Sequence, residues 1–244
     1  MLSPAQNPLL KEALAAIANT KDDTTGASVQ YSDIILKTTA LYVITVISAA
    51  IGWLYLPTVA ALPLVFGALG VAIAAIVRKQ VGFSLPVLYA VLQGGAVGII
   101  SELFAQQYGS DIVTTAVIAT AVVFAICLAV FQIPAVRNGS QGRKIFFVAI
   151  ISYLVLSVIS LIAGAFFGVG DGWGFYGLGW LGIAIAVGAT ILSAWSLVID
   201  FGDADKAVKN QYPESFSWTL SLGLLISTIW VYLNILRLLA LLRR

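Results

Sequence analysis

The sequence predicts an all-α fold: a polytopic membrane protein with seven transmembrane helices. Seven apolar runs fill the chain from Ile34 onward, and each has about the 20 residues that an α-helix needs to cross a bilayer. The composition agrees, because 60% of the residues are hydrophobic and 10% are charged, whereas about 25% of an average soluble domain is charged. A third sign is that basic and base-free connections alternate between the runs.

The chain divides into two predicted parts. Residues 1–33 form a cytoplasmic N-terminal segment, and residues 34–244 form one seven-helix transmembrane domain. In the segment, Asn7-Pro8 is a typical helix start, followed by apolar residues at helical spacing: Leu9, Leu10, Ala13, Leu14 and Ile17. The short amphipathic helix that this predicts could lie on the membrane surface or pack on the bundle. We expect no cleaved signal peptide, since its basic start and cleavage site are absent.

The apolar runs and the polar residues between them set the spans. The predicted spans are residues 34–55, 58–77, 84–106, 112–133, 145–168, 178–200 and 217–241. Gly94 and Gly98 in the third span, and Gly164 and Gly168 in the fifth, have the spacing that lets helix backbones approach closely. Because six other helices are available to each, we expect these pairs to pack inside the bundle rather than between two copies.

The basic residues predict the orientation. Ten of the thirteen lysines and arginines fall in the N-terminal tail, at the start of the first span and in every second connection. The other three, Arg237, Arg243 and Arg244, are at the C-terminal end. By the positive-inside rule, the N-terminus is cytoplasmic and the C-terminus is outside. We expect the protein in a plasma membrane or a bacterial inner membrane.

Residue types that are missing exclude several functions. There is no histidine, which excludes serine–histidine proteases and ordinary zinc proteases. The one cysteine, Cys127, can form no internal disulfide. No nucleophile and base are assembled by the sequence, so we expect neither an enzyme nor a cofactor. The net charge of +2 comes from loop residues and implies no nucleic-acid partner.

Asp200 is the most informative acid in the chain. It ends the predicted sixth span, where the helix carbonyls already carry partial negative charge. A base, a cation or a proton should therefore compensate it. Arg78, which ends the second span on the same side, is the preferred partner, and Lys206 and Lys209 are the alternatives. Asp200 is also the best candidate ligand for any metal ion. The other interpretation is a solvated acid just beyond the helix.

The last span carries a polar stripe. Ser227 and Asn234 are seven residues apart and share one face, and Arg237 follows three residues later. Such a stripe should face protein or a wet cavity, where Gln93 of the third span could meet it. Helix–helix hydrogen bonding and an ion path both explain the stripe. Glu102, near the outer end of the third span, is within reach of the lipid headgroups.

Several short motifs carry a family resemblance. They are the residues 31–38 (YSDIILKT); Pro86, Tyr89-Ala90, Gln93-Gly94, Gly98 and Ser101; the residues 196–201 (SLVIDF); Val208-Lys209-Asn210, Pro213-Glu214 and Trp218; and the residues 230–239 (WVYLNILRLL). In this order and spacing they resemble the Bax inhibitor-1/YccA-like family, especially its bacterial branch with actinobacterial-type members. The resemblance covers residues 31–244.

The resemblance implies a seven-helix fold in which the other six helices surround a central last helix. It also implies a pH-sensitive calcium leak, whose sensor is one acid at the end of the sixth helix and another in the seventh, latched by an arginine of the second. Asp200 matches the first acid, and Arg78 matches the latch.

Three positions depart from that family pattern. Counted back from Arg237, the place of the second acid falls at Ser227. Asn234 stands where an acid often occurs nearer the end, and Gln93 replaces a glutamate that is common in the third helix.

We therefore expect a cation leak or transport activity, for calcium or protons, that an Asp200–Arg78 latch closes. Two carboxylates that share a site respond to pH, and the sequence supplies only the first. The alternative is a non-conducting membrane protein that binds other membrane complexes or a membrane protease.

Overall fold

A computed structural model describes residues 28–78, 81–133, 140–170 and 174–243. Its helices are α1 (Tyr31–Tyr55), α2 (Ala61–Val77), α3 (Ser84–Tyr108), α4 (Asp111–Phe131), α5 (Ser140–Phe167), α6 (Trp180–Lys209) and α7 (Phe216–Leu242). A 3-10 turn, Thr58–Ala60, leads into α2, and another, Gly174–Gly177, lies before α6. Seven helices among the described residues are long and apolar enough to cross a membrane, which confirms the predicted class. The predicted amphipathic helix near Leu9 lies outside the described residues.

The clearest departure from the predicted spans is the end of α6. The sixth span was predicted to end at Asp200, but α6 continues to Lys209. Hydropathy marks where the apolar run ends, whereas the helix continues because Ala204 and Asp205 are buried against the bundle. The C-terminal turn of α6 therefore contains Lys206 and Lys209, which suit its negative dipole end. The prediction that Asp200 sits at the dipole end is wrong.

α7 is the central helix, as predicted. It has the largest buried share of the seven helices found among the described residues, and it packs against α1, α3, α4 and α6. By contrast, α2 packs mainly on α3, and α5 packs mainly on α6 and on the Gly174–Gly177 turn. The helices α1, α3, α4 and α6 therefore form most of the surround of the last helix, and α5 reaches it through Tyr153, whose ring centre lies 6.0 Å from that of Trp230.

Glycines bring the backbones of α1 and α3 into contact. A Cβ atom at Gly94 would lie 2.6 Å from the carbonyl oxygen of Thr45, and one at Gly98 would overlap the backbone of Ala49. This confirms that the first glycine pair packs inside the bundle. The second pair differs, because Gly168 follows the end of α5 and a Cβ there would meet no described atom within 4 Å.

Candidate functional site

The candidate site is a cavity of about 350 Å³ between α6 and the first turns of α7. It lies at the inner side, by which we mean the membrane side where α1 and α7 begin, predicted to be cytoplasmic. Its lining residues are Asp200, Asp203, Lys206, Tyr212, Phe216, Thr219, Leu220 and Gly223. The three charged residues come from successive turns of α6, so the cavity has one polar wall, and α7 supplies most of the other.

Asp200 lies directly against α7. A Cβ atom at Gly223 would be 3.6 Å from the Oδ1 atom of Asp200, which is an ordinary contact distance. Ser227 lies one helical turn further along α7 and is 7% exposed. The position of the last helix that faces Asp200 is therefore Gly223, whereas counting along the sequence assigned that position to Ser227.

The bases predicted as partners of Asp200 occupy different places. Arg78 directly follows α2 and is exposed, and α2 packs mainly on α3 rather than on α6. Lys209 donates a hydrogen bond to Asp205 at 2.7 Å. Lys206 lines the cavity together with Asp200. In this conformation the cavity therefore contains the alternative base, Lys206, and not the preferred one.

The polar stripe of the last helix faces protein, as predicted. Ser227 is 7% exposed and Asn234 is 3% exposed. The Asn234 Nδ2 atom donates to the carbonyl oxygen of Trp230 at 3.0 Å, so the amide is satisfied within its own helix. The stripe thus contributes to packing and lies outward of the cavity.

The two candidate site residues of α3, Gln93 and Glu102, are not among those that line the cavity. Gln93 is half-buried, and α3 meets the polar side of α7 through Ser101, whose hydroxyl lies 2.7 Å from that of Tyr232. Glu102 accepts a hydrogen bond from Gln106 at 3.0 Å on the exposed surface.

Arg237 anchors the outer part of α7. Its guanidinium lies 4.6 Å from the ring centre of Tyr176, which is buried in the turn before α6. Burial raises the pKa of Tyr176 to about 12, so the phenol stays neutral at physiological pH. The contact is therefore a cation–π interaction that joins α7 to the connection between α5 and α6.

A cation in the cavity would meet two carboxylates, those of Asp200 and Asp203. Calcium takes about six to eight oxygen ligands, so water or backbone carbonyls would supply the others. No group of three acidic, histidine or cysteine side chains that could hold a metal ion occurs in the described part of the chain. The two carboxylates alone thus supply fewer oxygen atoms than a calcium site needs.

Comparison of the sequence with known protein families identifies the family of this chain. A family model described as Bax inhibitor 1 like matches residues 7–244. The chain belongs to the Bax inhibitor 1 like family. No protein among those with curated descriptions matches it. The family resemblance drawn from the sequence motifs is confirmed, and the cavity at Asp200 is thus a feature of a Bax inhibitor 1 like membrane protein.

In this Bax inhibitor 1 like chain, the cavity residues that the sequence did not predict include Asp203, Thr219 and Gly223. Asp203 did carry a signal, because it follows Asp200 by three residues and so lies on the same side of a helix. Gly223 and Thr219 carried none. Which residues of α7 face Asp200 depends on how far α6 continues and on how the following connection turns.

One hydroxyl pair in this Bax inhibitor 1 like bundle was not predicted from the sequence. The hydroxyl groups of Tyr42 and Thr228 lie 2.7 Å apart. Thr228 donates to the carbonyl oxygen of Leu224 at 2.7 Å, so Tyr42 donates to Thr228. Both line a cleft of about 610 Å³ between α1, α3, α4 and α7. The pair places polar atoms on the central helix between the cavity and the outer side.

Proposed function

We propose that this protein is a cation leak, for calcium or protons, that closes at Asp200. The observation that carries the proposal is the half-buried Asp200, whose carboxylate faces a cavity and lies beside Gly223 of the central helix. Residues 180–199 carry no charge, so Asp200 is the first charge of α6 met from the outer side. An ionisable group at such a boundary is expensive unless water, an ion or a partner compensates it.

The proposed membrane is a plasma or bacterial inner membrane, with the N-terminus in the cytoplasm and the C-terminus outside. The basic connections support this orientation, which places the cavity on the cytoplasmic side of the membrane. Asp203 supplies a second carboxylate to the same cavity. The proposal contains no catalytic step.

The experiment that tests the leak is calcium entry into proteoliposomes that contain a calcium dye, with a pH dye in parallel for protons. Entry should be faster than into protein-free vesicles made from the same lipid. If the parent protein and every variant of the cavity leave the vesicles as tight as protein-free ones, the leak proposal is wrong.

Two bases compete for the role of the closing partner of Asp200. The resemblance assigns the latch to Arg78, and the cavity supports Lys206. We expect Arg78→Met or Lys206→Met to raise calcium entry severalfold. The reason is that loss of a closing ion pair worth about 1–2 kcal/mol shifts the equilibrium between the closed and open states at least severalfold. The variant that raises entry identifies the latch. Unchanged entry in both variants would rule out a latch by either base.

The position of Gly223 allows a gain of function to be predicted. Gly223→Asp would add to Asp200 and Asp203 a carboxylate from α7 that lies directly against Asp200, and carboxylates in such close contact make one of them protonate at a higher pH. We expect calcium entry through this variant to change between about pH 5 and pH 8, measured with the same vesicles. Ser227→Asp is the matched control and should lack this response. The opposite pattern would show that Ser227 is the relevant position.

The alternative function is that of a non-conducting membrane protein that binds another membrane protein. A groove of about 670 Å³ between α5 and α6 favours it, because apolar side chains line it almost throughout, among them Phe146, Leu156, Ile185 and Trp195. Another apolar helix could pack there. Purification of a second protein in stoichiometric amount, lost in Gly188→Phe, would support this candidate; purification of the chain alone would argue against it.

A further inference from the structure

We infer that residues 28–37 form a strap that holds the inner wall of the Asp200 cavity closed. The inference rests on the proposed function, because the strap would regulate the same cavity. The test of the strap, however, requires no measurement of ion flux. The strap contains the first motif of the sequence, the residues 31–37 (YSDIILK). None of these residues lines the cavity. Its partners lie more than 170 residues further along the chain.

The strap begins by pairing with the connection between α6 and α7. The amide of Val29 donates to the carbonyl oxygen of Tyr212 at 2.8 Å, and Ser28 pairs with Pro213 as an isolated antiparallel bridge. Val29 is 1% exposed, so it is an integral part of the bundle. Because Tyr212 lines the cavity, this pairing fixes the backbone of the cavity wall.

A second contact joins the strap to α6. The hydroxyl of Tyr31 donates to Asp205 Oδ1 at 2.7 Å, and Lys209 donates to Asp205 Oδ2 at 2.7 Å. Asp205 is 7% exposed. A hydrogen bond to a buried carboxylate is among the stronger ones in proteins. Asp205 directly precedes Lys206, so this contact holds the polar wall of the cavity.

A third contact joins the strap to α7. The ammonium group of Lys37 donates to Ser217 Oγ at 2.6 Å and to Glu214 Oε1 at 3.3 Å, and it lies 5.3 Å from the ring centre of Trp218. The Lys37 side chain is 13% exposed. Since a buried ammonium that loses its partners is costly, this contact fastens the other wall of the cavity.

The connection under the strap is held in a strained conformation. Gln211 has a φ of 51°, a left-handed value that residues with a Cβ adopt at some cost. Such a conformation persists only where the surrounding contacts impose it, and the next residue, Tyr212, is the one that Val29 binds. Release of the strap would let the connection relax and let the ends of α6 and α7 separate at Asp200.

The test uses a cysteine reporter inside the cavity. The Oγ1 atom of Thr219 is buried, so Thr219→Cys in a Cys127→Ser background should react slowly with a water-soluble maleimide. We expect Tyr31→Phe and Lys37→Met each to raise the labelling rate about tenfold, the factor by which loss of a charge-assisted hydrogen bond shifts a closed state. Both replacements keep most of the side-chain volume, and each protein should elute as a single species in size-exclusion chromatography.

Arg243→Met is the matched control. It breaks the contact between Arg243 and Asp111, which is 3.0 Å long, at the outer side, and it should leave the labelling rate unchanged. Equal labelling in parent and strap variants would overturn the strap, as would equally fast labelling in the control. Faster labelling in the strap variants alone, in a protein that passes no ions, would keep the strap and reject the leak.

Discussion

A leucine at Gly98 should destabilise the protein by about 3 kcal/mol, because it overpacks a tight contact between two backbones. A Cβ atom at this position already overlaps the backbone of Ala49, so any side chain must push α1 away from α3. Neither backbone can move aside as a flexible side chain would. The measurement is the midpoint of unfolding in a denaturing detergent titration, followed by the loss of helix signal.

The matched control is Gly70→Leu. It makes the same chemical change within α2, where a Cβ atom would meet nothing within 4 Å. This variant should unfold at or slightly above the parental midpoint, because leucine favours helix over glycine. Equal midpoints for the Gly98 and Gly70 variants would mean that the close crossing of α1 and α3 does not stabilise the bundle.

Most of the fold could be predicted from the sequence because lipid leaves the backbone few choices. Inside a bilayer every backbone polar group must be satisfied within the chain, and only helices and closed barrels achieve this. Apolar length therefore predicts each span. The same reasoning failed at the end of α6, because residues 201–209 are held in place by a contact with the start of α1. In this contact Tyr31 donates a hydrogen bond to Asp205, 174 positions further along the chain. Hydropathy carries no information about such a contact.

The candidate site could be predicted only in part, and for a related reason. Asp200 was evident because it ends a long run of uncharged residues. Its neighbours depend on the rotation of α7 about its axis, which the connection between α6 and α7 sets. Counting along α7 from Arg237 therefore led to Ser227, whereas Gly223 faces Asp200. Likewise, membrane side alone predicts Arg78 as the partner of Asp200, although α2 packs mainly on α3.

Asp200→Asn should raise calcium entry about tenfold, because it removes the charge of a closing contact while keeping the shape of the side chain. A charge-assisted interaction of roughly 1.5 kcal/mol or more holds the closed state about ten times more strongly than a neutral one. The amide of asparagine still fits beside Gly223, so the packing of α6 on α7 should persist. The unfolding midpoint should therefore stay close to that of the parent.

Glu102→Gln is the control for Asp200→Asn. It neutralises a carboxylate of the membrane domain that lies outside the cavity and accepts a hydrogen bond from Gln106 at the exposed surface. Calcium entry through this variant should equal that through the parent, because no closing contact is lost.

The most direct measurement is the ratio of calcium entry rates between Asp200→Asn and the parent, in vesicles with equal protein content. A ratio near ten, with Glu102→Gln at one, is the result expected if the carboxylate beside Gly223 closes a cation path. A ratio of one for both variants would contradict this account of Asp200.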